Sequence, residues 1–504
     1  MSLPNADKPL PNPPDSGTED REQKAEEAPV DVSPRPQVPC EETQPARPGL
    51  LGAPAGKTTL RRLLPVLIGG AAASLCLTGM IVLLRGCEHR QTIRPTPQMG
   101  IESRFWIRVR LLGNVAECTF EVPSAFRMAS TDPAVKAQGG GATLKPLHAP
   151  TKIVITDGRL TLGETPLAGK EVVFSPEEPY VFGLNGHKYR GRLKLIIGRK
   201  GRSFDAINLV PLEPYVAGVV GEEMPYYWEA QALRAQAIAV RTYCLFIKNR
   251  FGINRDYDVS RTQSSQVYGG IGAESAQVWD AVNSTCGQIL MSPDLMAERG
   301  EPAHSAGGSS PQPVIADPQL RGLFPAYYSS ACGGHTSSSQ DVFGDSFGPL
   351  QGVPCPYCKD VAKLAVFYWP MASFDQETIT KHLLQRYPKL RALGPILDIT
   401  ATAESCYGSF SRLTRIRLTG ATGKKDTLRA EDLRLALDPT GLKIKSAMCQ
   451  IVPWGNGWAF VSGRGWGHGV GMCQHGAEGM ARLGSDTQAI LQHYYPGAEI
   501  VNIY

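Results

Sequence analysis

The sequence predicts an α+β fold, with a strand-rich N-terminal part and a mixed C-terminal part around a central helical pair, preceded by a single transmembrane helix. Three observations predict it. Short apolar or alternating runs closed by glycine, aspartate or proline fill residues 106–210. Helical period takes over at 212–250, and an uncharged apolar stretch, Leu63–Leu84, stands apart near the N-terminus.

Residues 1–60 are proline-rich, acid-leaning and poor in aromatics. Such a segment buries too little apolar surface to fold and is expected to be a disordered tail. Residues 61–86 contain the Leu63–Leu84 run, which has the length needed to cross a bilayer core. Lys57, Arg61 and Arg62 precede it and Arg85 and Arg90 follow it, so flanking charge hardly orients it. With an unfolded tail before the run and the bulk of the chain after it, the expected topology is single-pass. The tail then lies in the cytoplasm and the main domain outside the cell membrane. A cleaved signal peptide would start nearer residue 1 and carry a shorter apolar core.

Residues 87–103 read as a linker, and a folded domain is expected over 104–504. Its first half holds the strand candidates WIRVRLLG, TKIVITDG, EVVFSP, GRLKLIIGR and FDAINLV. Residues 292–324 are rich in turn residues and weakly periodic, which predicts an exposed insertion. The last 150 residues alternate strands (TRIRLTG, GWAFVSG) with helices (ETITKHLLQRY, RAEDLRLAL). A formal net charge of +5, spread along 504 residues, leaves no footprint for nucleic acid.

The central stretch carries the chemistry. Winding Leu212–Glu223 at 100° per residue puts Leu212, Val216 and Val219 within about 60°, and Glu223 falls inside that arc. Glu222 points about 100° away. A carboxyl on a buried face is desolvated, which raises its pKa and lets it carry a proton near neutrality. Pro225 pushes the preceding residue out of the α region, so Glu223 stands at a helix end. The competing interpretation is a structural ion pair, with Arg241 on the next helix as partner. That helix, 228–248, is apolar almost all round, so it belongs to the core. Its polar interruptions Gln236 and Arg241 must find partners or open onto a site. Cys244, within it, reads as a small core residue.

YVAGVVGEEMP (215–225) and ALRAQAIAVRTYCLF (232–246) are followed in order by SSQVYGG (264–270), YYSSACGGHTSSSQDVFG (327–344), GRGWGHGVGMCQHGAEGMA (463–481) and LQHYYPG (491–497). This series resembles the stage II sporulation protein D / amidase-enhancer (SpoIID/LytB) family over roughly residues 104–504. The resemblance implies a lytic transglycosylase acting on peptidoglycan strands stripped of stem peptides, with the glutamate before Met-Pro, Glu223 here, as its catalytic residue. One carboxyl then protonates the glycosidic oxygen and later takes the proton of the muramyl C6 hydroxyl, closing a 1,6-anhydro ring. No second acid is needed, unlike ordinary glycoside hydrolysis. The amidase-enhancer members imply an alternative, a non-catalytic glycan binder that stimulates a cell-wall amidase.

The glycine-rich block lacks the pattern of a phosphate cradle. Beside the family motifs it reads as a cleft wall, in which Trp466 stacks on a sugar face and His468 and Gln474 bond hydroxyl or N-acetyl groups. Gln236 and Arg241 join these as substrate-binding candidates, as do Thr336 and Tyr495, which lie on family motifs.

Nine cysteines fall within 104–504, so at least one is left without a disulfide partner. Cys332 and His335, followed by Cys355 and Cys358, have zinc-ribbon-like spacing. Outside the cell the same cysteines could be oxidised to disulfides. The CPYC tetrapeptide echoes redox motifs, but no βαβ unit surrounds it. Zinc, disulfide and redox readings stay open on spacing alone, and the expected chemistry requires no cofactor.

Overall fold

The structure is a computed structural model that describes residues 99–130, 141–263, 265–297 and 317–504. The tail, the Leu63–Leu84 run and the linker up to residue 98 lie outside these. Among the described residues no helix is long and apolar enough to cross a membrane.

Alternation of apolar side chains builds the first half. In Trp106–Val115 the side chains of Ile107, Val109 and Leu111 turn inward, and in Arg192–Ile197 those of Leu193 and Leu195 do so. Such a period of two makes one face of a sheet apolar. Seven strands pair in the order Val259–Ser260, Trp106–Val115, Phe204–Pro211, Arg192–Ile197, Glu171–Pro176, Phe126–Ser130 and Gly141–Leu144. A six-stranded sheet runs His187–Arg190, Val181–Leu184, Glu117–Val122, Leu147–Thr156, Arg159–Leu162 and Thr165–Pro166. The sheets share one core, where the Phe120 ring lies 4.9 Å from Phe174, 5.9 Å from Phe126 and 6.2 Å from Phe182. All five strand candidates of the sequence are strands here.

Phe204–Pro211 runs without a loop into helix α1, Leu212–Glu223. α1 ends where Met224 turns extended (φ −131°, ψ 139°), as Pro225 requires. Helix α2, Ala230–Phe251, follows and is buried along most of its length. Cys244 is fully buried within it.

A second, smaller core gathers around Ile379, Leu383, Leu390, Ile416, Leu418 and Leu433. It is built from two three-stranded sheets and the helices Gln376–Arg386 and Ala430–Leu437, so the C-terminal alternation of strand and helix is present. The chain then returns to the first core through α3, Gln474–Arg482, and α4, Thr487–Tyr494. The fold is α+β.

One expectation needs correction. The segment 292–324 is not exposed throughout: Ser292, Leu295, Leu320, Leu323 and Phe324 are all buried, the last at 0% exposure. Turn residues dominate its composition, but the apolar side chains of Leu295, Leu320, Leu323 and Phe324 at its two edges join the main core. Residues 298–316 lie outside the described ones.

Candidate active site

The site forms where α1 ends. Two glycines on α1 let the segment after Val259–Ser260 press against it. A Cβ on Gly218 would stand 2.6 Å from the Tyr268 ring, and one on Gly221 would stand 1.8 Å from the Ala273 carbonyl oxygen. Gly269 N–H also donates to the Gly218 carbonyl (3.0 Å). The approach is anchored upstream, where Arg108 donates from its backbone (2.8 Å) and its guanidinium (2.6 Å) to Asp258. With that segment in place, the Val267 N–H donates to Glu223 Oε1 at 3.0 Å.

The opposite side comes from α3. Gln474, its first residue and 3% exposed, donates its amide N–H to Glu223 Oε2 at 3.3 Å. Glu223 is therefore held by two neutral donors. Burial pushes its carboxyl above the ordinary value of 4.5, the two donated hydrogen bonds oppose this, and the Glu222 charge adds to it. Taken as a whole residue Glu223 is half-buried, whereas Glu222 is exposed. The helical arc thus separates the two neighbours as the sequence indicates.

A polar relay surrounds the carboxyl. Gln266 accepts from the Tyr215 hydroxyl (2.8 Å) and donates to the Tyr328 hydroxyl (2.8 Å). Burial and then the Glu223 charge push the Tyr328 phenol well above its ordinary range. Just past Met224-Pro225, Tyr226 and Tyr227 stand 54% and 71% exposed, their rings edge to face at 5.7 Å. Large aromatics left in water beside a half-buried acid offer flat faces to a ligand. Gln266, Tyr328 and the tyrosine pair escape the sequence-based selection, although Gln266 lies inside the quoted SSQVYGG motif and Tyr328 inside YYSSACGGHTSSSQDVFG.

The other expected site residues make contacts of their own rather than with Glu223. Arg241 is 0% exposed and bonded in a fork to Glu213, Nε to Oε1 at 2.9 Å and Nη2 to Oε2 at 2.6 Å. Its Nη1 also donates to the Gln288 carbonyl (2.8 Å), so it is a closed core pair and presents nothing to a substrate. Its partner is Glu213, not Glu223. Thr336 exchanges hydrogen bonds with Val353, accepting at 2.7 Å, and is 1% exposed. The fully buried Tyr495 donates to the Tyr327 carbonyl at 2.7 Å. Both serve backbone groups. Trp466 lies under the Lys445 ammonium, 4.5 Å from it. His468 sits against Tyr327 and Phe343, accepts from Val470 N–H (3.0 Å), and is pushed by burial down to about 4. Gln236 is fully buried, and its amide oxygen and nitrogen have no partner among the described residues.

The cysteine spacing is resolved differently from the expectation. Cys332, Cys355 and Cys358 do meet, but the fourth member is Cys473, and all four are buried thiols. His335 stacks on Tyr407 instead, with centroids 4.0 Å apart and planes at 11°. A hollow of about 710 Å³ lined by Phe374, His382, Asp438, Lys443 and Trp454 belongs to the second core and shares no residue with the Glu223 surround.

Residues 200–291, which hold α1, α2 and the Gln266–Gly270 segment, match the model of the stage II sporulation protein (SpoIID) family. The chain is 31% identical over 352 residues to an uncharacterized protein of Brachyspira hyodysenteriae, covering 69% of this chain and 82% of that one. It is 28% identical to stage II sporulation protein D of Bacillus subtilis, over 58% of this chain and 76% of the relative. The amidase enhancer of the same organism is 24% identical, over 78% of this chain and 54% of its own length. The chain belongs to the SpoIID/LytB family of stage II sporulation protein D and amidase-enhancer proteins.

Proposed function

We propose that this protein cleaves peptidoglycan glycan strands as a lytic transglycosylase, with Glu223 as the one acid and base. The observation that carries this is the state of that carboxyl: desolvated, partly open to solvent and bonded by neutral donors alone. Burial favours the protonated form of a group so placed, and its two neutral donors support the carboxylate that forms when the proton is given up. The protonated carboxyl gives its proton to the oxygen joining N-acetylmuramic acid C1 to N-acetylglucosamine, and that C–O bond breaks. The muramyl C6 hydroxyl oxygen then bonds to C1, and its proton passes to the Glu223 carboxylate. No water is consumed, and Glu223 ends protonated as it began.

Val267 N–H and Gln474 stabilise the carboxylate between the two proton transfers, each donating to a different oxygen. Tyr226 and Tyr227 offer stacking faces for adjoining sugars. The partial likeness to an amidase enhancer supports a second reading, a cell-wall role as a glycan binder that stimulates a separate amidase.

Product analysis separates the two. Purified full-length protein is incubated with peptide-stripped strands, and the fragments are weighed by mass spectrometry. Anhydro-muramyl ends from the wild type and none from Glu223→Gln are the expected result. Intact strands that nevertheless co-sediment with the protein would favour the binder. Reducing muramyl ends would mean hydrolysis and overturn the single-carboxyl route.

A further inference from the structure

Four cysteines from three distant stretches of chain converge where the proposed reaction uses no thiol. Cys332 lies in a tight Gly-Gly turn, Cys355 and Cys358 form the CPYC step, and Cys473 directly precedes α3. Their Sγ atoms all lie within 4.8 Å of one another, and Cys332 Sγ stands 3.7 Å from Cys358 Sγ. A tetrahedron of sulfurs about 2.3 Å from a central zinc has edges of about 3.8 Å. Two disulfides would instead draw the sulfurs into separate pairs about 2.05 Å long.

The surroundings are built for this cluster. A Cβ on Gly476 would stand 2.6 Å from Cys355 Sγ and 2.0 Å from the Tyr494 hydroxyl, so only glycine lets α3 pass this close. Gly333 and Gly334 adopt φ of +85° and +120°, which the turn after Cys332 requires. Cys332 N–H donates to Cys473 Sγ (3.2 Å), and the Tyr494 hydroxyl lies 3.1 Å from Cys355 Sγ. Donors of this kind orient thiolate ligands and offset their negative charge.

We propose that Cys332, Cys355, Cys358 and Cys473 bind one Zn²⁺ ion as a closed four-thiolate centre that fastens the start of α3. Four protein ligands leave no open position, so the ion is structural. Its consequence for the site is positional. Cys473 is bonded to Gln474, whose amide reaches Glu223, and Cys332 lies four residues past Tyr328. The centre thus pins both flanks of the carboxyl, and Gln474 acts as a positioning residue only while α3 is held. The metal site stands apart from the proposed glycan chemistry, but the positional consequence rests on it.

The test reads metal and not cleavage. Full-length protein, purified in detergent without added metal, is expected to carry about one zinc per chain by elemental analysis. Absorption at the zinc edge should show four sulfurs at about 2.3 Å. Cys473→Ser should lose the zinc, while Cys449→Ser, a buried cysteine outside the cluster, should keep it. Chelation should speed amide exchange across residues 474–480. The wild-type measurement decides even if Cys473→Ser does not fold. A wild type with no zinc, with iron in its place, or with disulfides among the four cysteines in non-reduced peptides overturns the centre. Zinc retained by a folded Cys473→Ser overturns the assignment of Cys473, and unchanged exchange on chelation overturns the fastening of α3.

Discussion

The two ends of α1 each place a glutamate against the protein interior and treat it in opposite ways. At the first turn Glu213 is 3% exposed and meets the Arg241 guanidinium in a fork, with the Gly287 N–H (3.2 Å) and the Tyr504 hydroxyl as further donors. At the last turn Glu223 meets only a backbone N–H and an amide. The first carboxylate is neutralised and sealed, and the second is desolvated and partly open. Burial therefore does not make an acid catalytic. What matters is whether the neighbours supply a compensating charge or only dipoles, because only the second case leaves a proton to exchange.

Removing the compensating charge should have the largest effect. Arg241→Ala leaves the Glu213 carboxylate buried without a compensating charge and should cost about 3–5 kcal/mol in chemical denaturation. Arg241→Met with Glu213→Gln, which removes both charges, should recover more than half of that. Next, Gly221→Ala drives a methyl into the Ala273 carbonyl and shifts the segment that carries Val267. It should cost about 1–3 kcal/mol of stability and lower strand cleavage more than Arg241→Ala does in protein that remains folded.

Gln474→Leu removes one donor from the carboxylate, and a hydrogen bond of about 0.5–1.5 kcal/mol corresponds to a loss of about two- to tenfold in rate. Because that donor lowers the Glu223 pKa, its loss should move the alkaline limb of the pH–rate profile upward. Glu223 also couples to stability. Its folded pKa lies above the ordinary 4.5, so the folded state binds more protons than the unfolded chain between these values. Stability should then fall as pH rises through that window. In melting curves Glu223→Gln should match the wild type below pH 4.5 and exceed it at neutral pH. The smallest effect is expected from Glu222→Gln, where an exposed charge that raises the Glu223 pKa is removed. Cleavage should stay within about twofold, with the alkaline limb moved slightly down.

Local chemistry was the legible part of this molecule. Short apolar and alternating runs located five strands of the two sheets, and Pro225 with the arc of Leu212, Val216 and Val219 defined α1 and told Glu223 from Glu222. Contacts across long separations were not legible. α2 is apolar on nearly every side, so no stripe shows which way Arg241 points, and Glu213 on the preceding helix was as available a partner as Glu223. Thr336 and Tyr495 stand in glycine-rich or turn-rich motifs whose carbonyls and N–H groups need side-chain partners, and the two residues meet that need. His335 fits a short zinc spacing, yet a cysteine 115 residues beyond Cys358 completes the set. No local pattern marks that distance, because it depends on the second core being inserted between the two.

The most direct test is the rate at which Glu223→Gln forms anhydro-muramyl ends, measured beside its binding of the same strands. Gln keeps the shape, can accept from the Val267 N–H, and cannot exchange a proton. The account predicts a fall of about 10²–10⁴-fold with binding preserved and a melting temperature no lower than that of the wild type. A variant that cleaves within tenfold of the wild type would contradict it, and Glu223 would then be one more buried carboxyl like Glu213.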